Sequence, residues 1–260
     1  YNQLDVDGFL KEYEPHLRQN PKNPNLYMMV RLHLSNAYAA QGRFDDAMKL
    51  LAATEIREGK KPEQALMSRF AVTSNLCYCA EQMGDLDAAK KYLDELHGYK
   101  KQLEAIQETK KPKQRMAFSC ELNDQCMKLL STGKCDIQAL KTQVQQNNTQ
   151  QLHRITTSLW IARAYLAEQN RREAENILQQ IVKLAPDLYP GREAARLLQK
   201  PAAVGMPRAQ YLLGVCCEFG DGVEQDVSRA LALYREAAGA GYPDAQCALG
   251  VLHHQGKGVD

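Results

Sequence analysis

Four residues in the last quarter of the chain are of types that bind zinc: Cys216, Cys217, His253 and His254. Two thiolates and two imidazoles can hold Zn²⁺ in a tetrahedral site. However, Cys216 and Cys217 would point about 100° apart on a helix, and Cys217 and His253 occupy equivalent positions of adjacent sequence repeats. Neighbouring helices in a stack lie about 8–10 Å apart. We therefore interpret these residues as packing or surface positions and expect no metal.

No other motif predicts catalysis. The chain contains no Gly-x-x-x-x-Gly-Lys-Ser/Thr loop, no Gly-x-Gly-x-x-Gly and no His-Glu-x-x-His. The segment 131–134, Ser-Thr-Gly-Lys, matches only the end of a phosphate loop, so we predict a turn between helices. The six histidines are scattered. We expect no catalytic residue, no cofactor and no enzymatic activity.

A cluster of basic residues spans positions 100–115. One interpretation is a patch for an anion, an RNA or an acidic partner; the other is a solvated link between helices. The cluster lacks the interleaved aromatic residues of single-strand binders. Its members are Lys100, Lys101, Lys110, Lys111, Lys113 and Arg115.

The composition predicts an all-α protein. The 260 residues include 63 alanines and leucines against 18 valines and isoleucines, and straight-chain residues favour helices whereas β-branched residues favour strands. No apolar run reaches the roughly 18 residues of a membrane span. The net charge of +2 argues against a dedicated nucleic-acid binder. None of the eight cysteines has Cys-x-x-Cys spacing; we expect buried thiols, a reducing compartment and hence a cytoplasmic location.

Two internal repeats organise the chain. A shift of 42 residues superposes Leu34, Gly42, Ala47 and Leu51 on identical residues, and a shift of 127 superposes Ala47 on an alanine again. Three periods of 42 nearly make 127, so a degenerate third unit should occupy 112–147. Each unit is expected to be a pair of antiparallel helices with buried Ala47, Ala89, Ala174 and Ala230 at the close contacts.

These units resemble the tetratricopeptide (TPR) repeat. Leu34, Tyr38, Gly42, Ala47 and Leu51 fit the family pattern in the first unit, and Pro186 follows Ala174 by the family spacing in the last. The resemblance covers about residues 26–187, although the period of about 42 exceeds the 34 of the family.

The C-terminal segment repeats every 36 residues. Shifting 194–224 onto 230–260 pairs thirteen identical residues, among them Gly205, Pro207, Gly214, Gly220 and Gly222 with their counterparts. The pattern resembles the Sel-one-like repeat, a relative of TPR. Gly214 and Gly250, in mid-helix, are expected to permit close helix contacts, and Asp226 to cap a helix.

The resemblances imply a right-handed alpha-alpha superhelix in which neighbouring pairs share one core. We expect TPR-like repeats with an N-terminal capping helix over 1–187. Pro15 should break or kink this first helix, whose apolar face carries Val6, Phe9, Leu10, Tyr13 and Leu17. Sel-one-like repeats should follow over 188–260, continuous with the first part. One flank of the last helix, with Ala245, Leu249 and Leu252, should lack cover, and the native chain should continue or associate with another chain there.

The resemblance to TPR also predicts a binding site. TPR proteins typically hold a peptide or partner helix on the concave face formed by their first helices. Asn36 and Asn75 match asparagine positions of the carboxylate-binding subset, while Leu32 replaces its lysine. Tyr78 and Arg163 share this face, so we expect these four residues, Asn36, Asn75, Tyr78 and Arg163, to contact a protein or peptide.

The sequence therefore predicts a non-enzymatic scaffold or adaptor whose partner is a protein or peptide of unknown identity. The alternative is a helical-repeat RNA-binding protein, which reads one base per repeat. The two different periods and the near-neutral charge argue against that alternative.

Overall fold

The computed structural model describes residues 5–15, 24–56, 62–106, 110–146 and 151–256. In these ranges the chain forms thirteen α-helices and no β-strand, which confirms the all-α prediction. No helix in the described part of the chain is long and apolar enough to cross a membrane.

Packing divides the chain into two compact units, residues 1–154 and 155–260. This division falls inside a helix, whereas the sequence boundary expected at 187/188 marks a change of repeat length. The helices are α1 (Val6–Tyr13), α2 (Pro24–Ala40), α3 (Phe44–Ala52), α4 (Pro62–Met83), α5 (Leu86–Glu104), α6 (Lys110–Thr132), α7 (Ile137–Gln146), α8 (Gln151–Ala167), α9 (Arg171–Leu184), α10 (Tyr189–Ala203), α11 (Pro207–Phe219), α12 (Val227–Gly239) and α13 (Pro243–His254).

The first unit is built from helical pairs. Helices α2 and α3, α4 and α5, and α6 and α7 pack within their pairs, while α2 also contacts α4 and α4 also contacts α6. Gly42 and Gly84 end the first helices of two pairs with φ of 78° and 74°, a conformation that glycine adopts at little cost. Asp85 then begins α5 by accepting a hydrogen bond from the Ala88 N–H at 3.0 Å.

The degenerate third pair predicted over 112–147 is present as α6 and α7. The segment from Ser131 to Lys134 lies at the end of α6 and in the turn that follows it, where Gly133 has a φ of 71°. The turn predicted for this segment is therefore confirmed.

The second unit begins with a turn that lacks glycine. Gln169, which corresponds to Gly42 in the 127-residue shift, adopts a φ of 62° between α8 and α9. Beyond it, α9 contacts both α10 and α11, α11 contacts α12, and α12 contacts α13. Asp226 caps α12 as expected, accepting a hydrogen bond from the Arg229 N–H at 2.9 Å. The change of repeat length is therefore accommodated around α9 and α10.

Small residues mark the closest contacts between paired helices. Ala47, Ala89, Ala174 and Ala230 are each 0% exposed, which confirms the predicted register of the repeats. Because a larger side chain at such a position would force the paired helices apart, these alanines set the distance between them.

The N-terminal helix behaves as a cap. Val6 and Leu10 are buried, and α1 packs on α2. The helix ends at Tyr13, two residues before Pro15, as the missing N–H of a proline requires. Leu17, the last residue expected on its apolar face, lies outside the described residues.

The C-terminal helix differs from expectation. Ala245 and Leu252 are buried and Leu249 is half-buried, because α13 turns this face toward α12. The prediction that this flank lacks cover was therefore wrong for Ala245 and Leu252. The expectation of close contact at Gly250 was also wrong, because a Cβ there would meet no atom within 4 Å. The exposed side of α13 is therefore the side that carries Gly250, opposite the side with Ala245 and Leu252.

Gly214 does mark a close helix crossing. A Cβ built on Gly214 would lie 2.6 Å from Cε1 of the Tyr234 ring, well inside van der Waals contact. Tyr234 is fully buried, so its ring has little freedom to move away.

We expect Gly214→Leu to lower the free energy of unfolding by about 1–3 kcal/mol, since overpacking outweighs the gain in helix propensity. Gly250→Leu is the matched control, because it makes the same change at the equivalent position of α13, where space is open. It should leave stability unchanged or raise it by up to about 1 kcal/mol. Chemical denaturation of both variants checks this, and equal effects at the two positions would contradict it.

Candidate partner-binding site

Two asparagines meet across neighbouring first helices of the first unit. Asn75 on α4 donates from Nδ2 to Asn36 Oδ1 on α2 at 2.9 Å, and to the Ser35 hydroxyl at 3.4 Å. Asn36 is exposed and Asn75 half-buried. In the described part of the chain, the Asn36 NH₂ group and the Asn75 carbonyl make no other hydrogen bond. The pair therefore presents one donor group and one acceptor, which is the complement of a peptide unit.

Tyr78 lies one helical turn after Asn75. Its side chain is half-buried, and its ring packs edge-to-face against Phe44, the first residue of α3, with 6.3 Å between ring centroids. This contact holds an aromatic surface beside the asparagine pair. Asn36 and Asn75 are thus in direct contact, and Tyr78 follows Asn75 by one turn of the same helix; that these residues bind a partner stays a prediction.

The polar line continues to the third pair. The Ser74 hydroxyl on α4 and the Ser119 hydroxyl on α6 are 2.8 Å apart and hydrogen-bonded. Sequence reasoning missed this contact because 45 residues separate the two serines and the third repeat is degenerate. First helices α2, α4 and α6 are therefore linked by side-chain hydrogen bonds on successive pairs.

Arg31, a basic residue on α2, makes its hydrogen bonds within the protein. Arg31, which precedes Leu32, donates from Nη1 to the carbonyl oxygens of Ala53 at 3.3 Å and Leu50 at 3.4 Å. These carbonyls lie at the end of α3, where a positive charge is favourable. With Leu32 in the place of a lysine, the asparagine pair is suited to a neutral main-chain group more than to a terminal carboxylate.

Arg163 lies in the second unit and is engaged within it. Its guanidinium is 3.0 Å from a Glu193 carboxylate oxygen, donates to the Tyr189 hydroxyl at 3.3 Å, and lies over the Trp160 ring at 4.6 Å. The Arg163 side chain is 18% exposed. Arg163 on α8 therefore stabilises the packing of α8 against α10. The asparagine pair belongs to the first unit, whereas Arg163 belongs to the second.

Glu193 is shared by two arginines. It accepts bidentate hydrogen bonds from Arg196 at 2.6 and 2.7 Å in addition to the one from Arg163. Burial alone would raise the pKa of the Glu193 carboxyl, but the hydrogen bonds and charges of Arg196 and Arg163 outweigh it and hold this pKa below its ordinary value. The ionised form is therefore favoured in the folded state.

Glu175 shows the opposite balance. It is buried on α9, and Arg208 Nε lies 3.8 Å from its carboxylate. Burial raises the pKa of Glu175, and the charges of Arg208 and Arg171 offset this only in part. The pKa values of two buried glutamates of one unit are therefore shifted in opposite directions from the ordinary value.

The remaining chemistry-bearing residues do not converge. All eight cysteines are free thiols, and six of them are buried; burial raises the pKa of Cys79 and Cys216 to about 12, so these thiols stay protonated and unreactive. No three His, Cys, Asp or Glu residues of the described ranges form a group suited to a metal. His253 and His254 are exposed.

The basic cluster is described only in part. Lys101 is exposed and Lys100 half-buried at the end of α5. The side chains of the other four members, Lys110, Lys111, Lys113 and Arg115, lie outside the described residues, so whether they form a patch remains a prediction.

Comparison with known families identifies repeats in the second unit. The Sel1 repeat model matches residues 207–242 and 243–260, and the tetratricopeptide repeat model matches residues 157–187. The first match covers α11 to α13, and the second covers most of α8 and all of α9. No curated protein matches the chain significantly.

We expect Glu193→Gln to lower the free energy of unfolding at pH 7 by about 1–3 kcal/mol, because it removes charge-assisted hydrogen bonds. Glu175→Gln, the matched control, should be neutral or stabilising, since it removes a carboxylate that burial disfavours.

The pH dependence of the free energy of unfolding tests whether folding lowers the pKa of Glu193. Because the pKa of Glu193 is lower in the folded than in the unfolded chain, its stabilisation is complete above the ordinary value of about 4.5 and is lost as pH falls through the folded pKa. The stability difference between wild type and Glu193→Gln should therefore persist from pH 7 to about 4.5 and shrink below it. Urea titrations across this range measure it, and a difference that grows on acidification would contradict the account.

Proposed function

We propose that this chain, a repeat protein of the TPR and Sel1 type, is a non-enzymatic scaffold or adaptor that binds a peptide or protein partner. Repeats of these two families are generally protein–protein interaction modules, and proteins built from them are typically non-catalytic. The partner-binding residues we propose are Asn36, Asn75 and Tyr78 on the first unit and Arg163 on the second.

The observation that carries this proposal is the Asn36–Asn75 pair. Its hydrogen bond fixes both amides in one orientation, so the ordering cost is met before a partner binds. The donor and acceptor left over can pair with the C=O and N–H of an extended segment, and the adjacent Tyr78 ring offers an apolar contact. Tyrosine is enriched at such interfaces because one end of its side chain is apolar and the other polar.

Arg163 has a secondary part in the proposal. Its guanidinium is held by Glu193 and Tyr189, and only its exposed edge would reach a partner on the second unit. Arg163→Ala would disturb the contact between α8 and α10 as well as any binding, so it cannot separate the two effects. The test therefore concentrates on the first unit.

The alternative of a helical-repeat RNA-binding protein gains no support. The repeats differ in length, which does not fit a regular one-base-per-repeat code. The net charge is +2, far from the basic excess of a protein that contacts many phosphates.

We expect the double variant Asn36→Ala/Asn75→Ala to bind its partner at least tenfold more weakly, since two hydrogen bonds of about 1 kcal/mol each are lost. Its melting temperature should stay within a few degrees of wild type, because Asn36 is exposed. A pull-down with mass spectrometry identifies partners, and calorimetric titration of the best one measures affinity.

Gln102→Ala is the matched control, since it removes an exposed amide from α5, a second helix of the same unit. It should bind like wild type. Equal affinities of the double variant and the control would exclude the asparagine pair as the binding site.

A further inference from the structure

Two tyrosine rings meet between α11 and the start of α13. The centroids of the Tyr211 ring, on α11, and the Tyr242 ring, just before α13, are 5.4 Å apart, and the rings are inclined by 45°. The Tyr211 ring also packs on Tyr234 of α12 at 5.8 Å, and Tyr234 is fully buried. Tyr211 and Tyr242 are only half-buried. A fixed and partly exposed aromatic surface therefore lies between the two helices.

A carboxylate accompanies this aromatic surface. Asp244, in the first turn of α13, is exposed. After burial, its negative charge is the largest cause that raises the pKa of both the Tyr211 and the Tyr242 hydroxyl, so its carboxylate lies close to both rings. Glu218 adds a further negative charge at Tyr211. We call Tyr211, Tyr242 and Asp244 the tyrosine–aspartate site; ring faces beside a carboxylate favour a cation.

The preceding repeat closes the corresponding place with a cation of its own. Asp244 corresponds to Arg208 in the 36-residue shift. Arg208 reaches back 33 residues to Glu175 on α9, at 3.8 Å, just as Asp244 acts on Tyr211, 33 residues before it. The charge of Arg208 partly offsets the effect of Asp244 on the pKa of Tyr242, but its guanidinium is engaged on α9. The tyrosine–aspartate site therefore lies on the α11 side of α13 and has the opposite charge.

Two arginines show how this chain fills such sites elsewhere. The Arg43 guanidinium lies 4.2 Å from the centroid of the Tyr38 ring and pairs with Asp46 at 2.8 Å. The Arg163 guanidinium lies 4.6 Å from the centroid of the Trp160 ring and pairs with a carboxylate at 3.0 Å. Among the residues that the structure describes, no cation lies over the rings of the tyrosine–aspartate site, and its carboxylate forms no ion pair.

We propose that the tyrosine–aspartate site binds the guanidinium of an arginine from a partner peptide. The guanidinium stacks on the exposed ring surface and donates hydrogen bonds to the Asp244 carboxylate. Arginine fits better than lysine, because its planar and weakly hydrated group stacks on aromatic rings and donates to both oxygens of a carboxylate. The inference rests on the proposed function only in that the arginine belongs to a protein partner, and it names a partner feature that the Asn36–Asn75 pair does not select.

The test is an NMR titration at low ionic strength with the peptide acetyl-Gly-Gly-Arg-Gly-Gly-amide, following the ring resonances of Tyr211 and Tyr242. NMR suits this titration because a single side chain binds weakly. Both rings should shift saturably with added peptide. The same peptide with citrulline in place of arginine keeps the shape without the charge, and should bind about fivefold more weakly or less.

Asp244→Asn should weaken binding of the arginine peptide about fivefold, because it removes the charge and keeps the shape. Asp187→Asn is the matched control, since it makes the same change at an exposed position between α9 and α10, and should bind like wild type. Tyr242→Leu keeps an apolar side chain without the ring face, and should weaken binding about threefold.

The double variant Asn36→Ala/Asn75→Ala should bind the arginine peptide like wild type, so this inference and the asparagine pair can fail separately. Equal binding of the arginine and citrulline peptides would overturn the inference. So would an unchanged affinity of Asp244→Asn, or a titration in which neither ring resonance shifts.

Discussion

The close approach of paired helices at alanine governs the rest of the structure. A single helical pair cannot bury its apolar faces, so each pair must pack on the next. Ala47 and Ala89 are fully buried at these contacts in the first unit and keep each second helix close to its first helix. This spacing brings α2 beside α4, which lets the side chain of Asn75 reach that of Asn36 at 2.9 Å.

The same constraint explains how the Tyr234 ring packs in the second unit. Where a glycine replaces a larger residue, the neighbouring helix can insert a whole ring, as Tyr234 does at Gly214. The pair formed by α11 and α12 therefore combines a fully buried alanine, Ala230, with the close contact of Gly214 and Tyr234. Polar contacts such as Arg163 with Glu193 add orientation, because buried charges are tolerated only with partners.

Much of this could be predicted from the sequence, because the determinants are local. Gly42 and Gly84 end helices at the same position of two repeats, and repeated alanines appear at one register, so the helical pairs and buried alanines followed from spacing alone. Asn36, Asn75 and Tyr78 were placed together because they share a register on neighbouring first helices.

The failures involve contacts whose partners are distant in sequence. Arg163 was expected on the partner-binding face, which stays a prediction; what the sequence did not indicate is its ion pair with Glu193, thirty residues away and outside any repeat equivalence. Ala245 and Leu252 were expected to lack cover because the repeat pattern shows which faces are apolar without showing which neighbour each face meets. Gln169 holds a left-handed turn without glycine, which no propensity rule indicates.

The most direct test of the account is an NMR titration that follows the side-chain NH₂ resonances of Asn36 and Asn75 as a partner identified by pull-down is added. If the asparagine pair binds the partner, both resonances should shift in proportion to saturation, while the exposed amide of Gln102 stays unchanged. A saturating partner that leaves the Asn36 and Asn75 resonances in place would contradict the assignment of the binding surface.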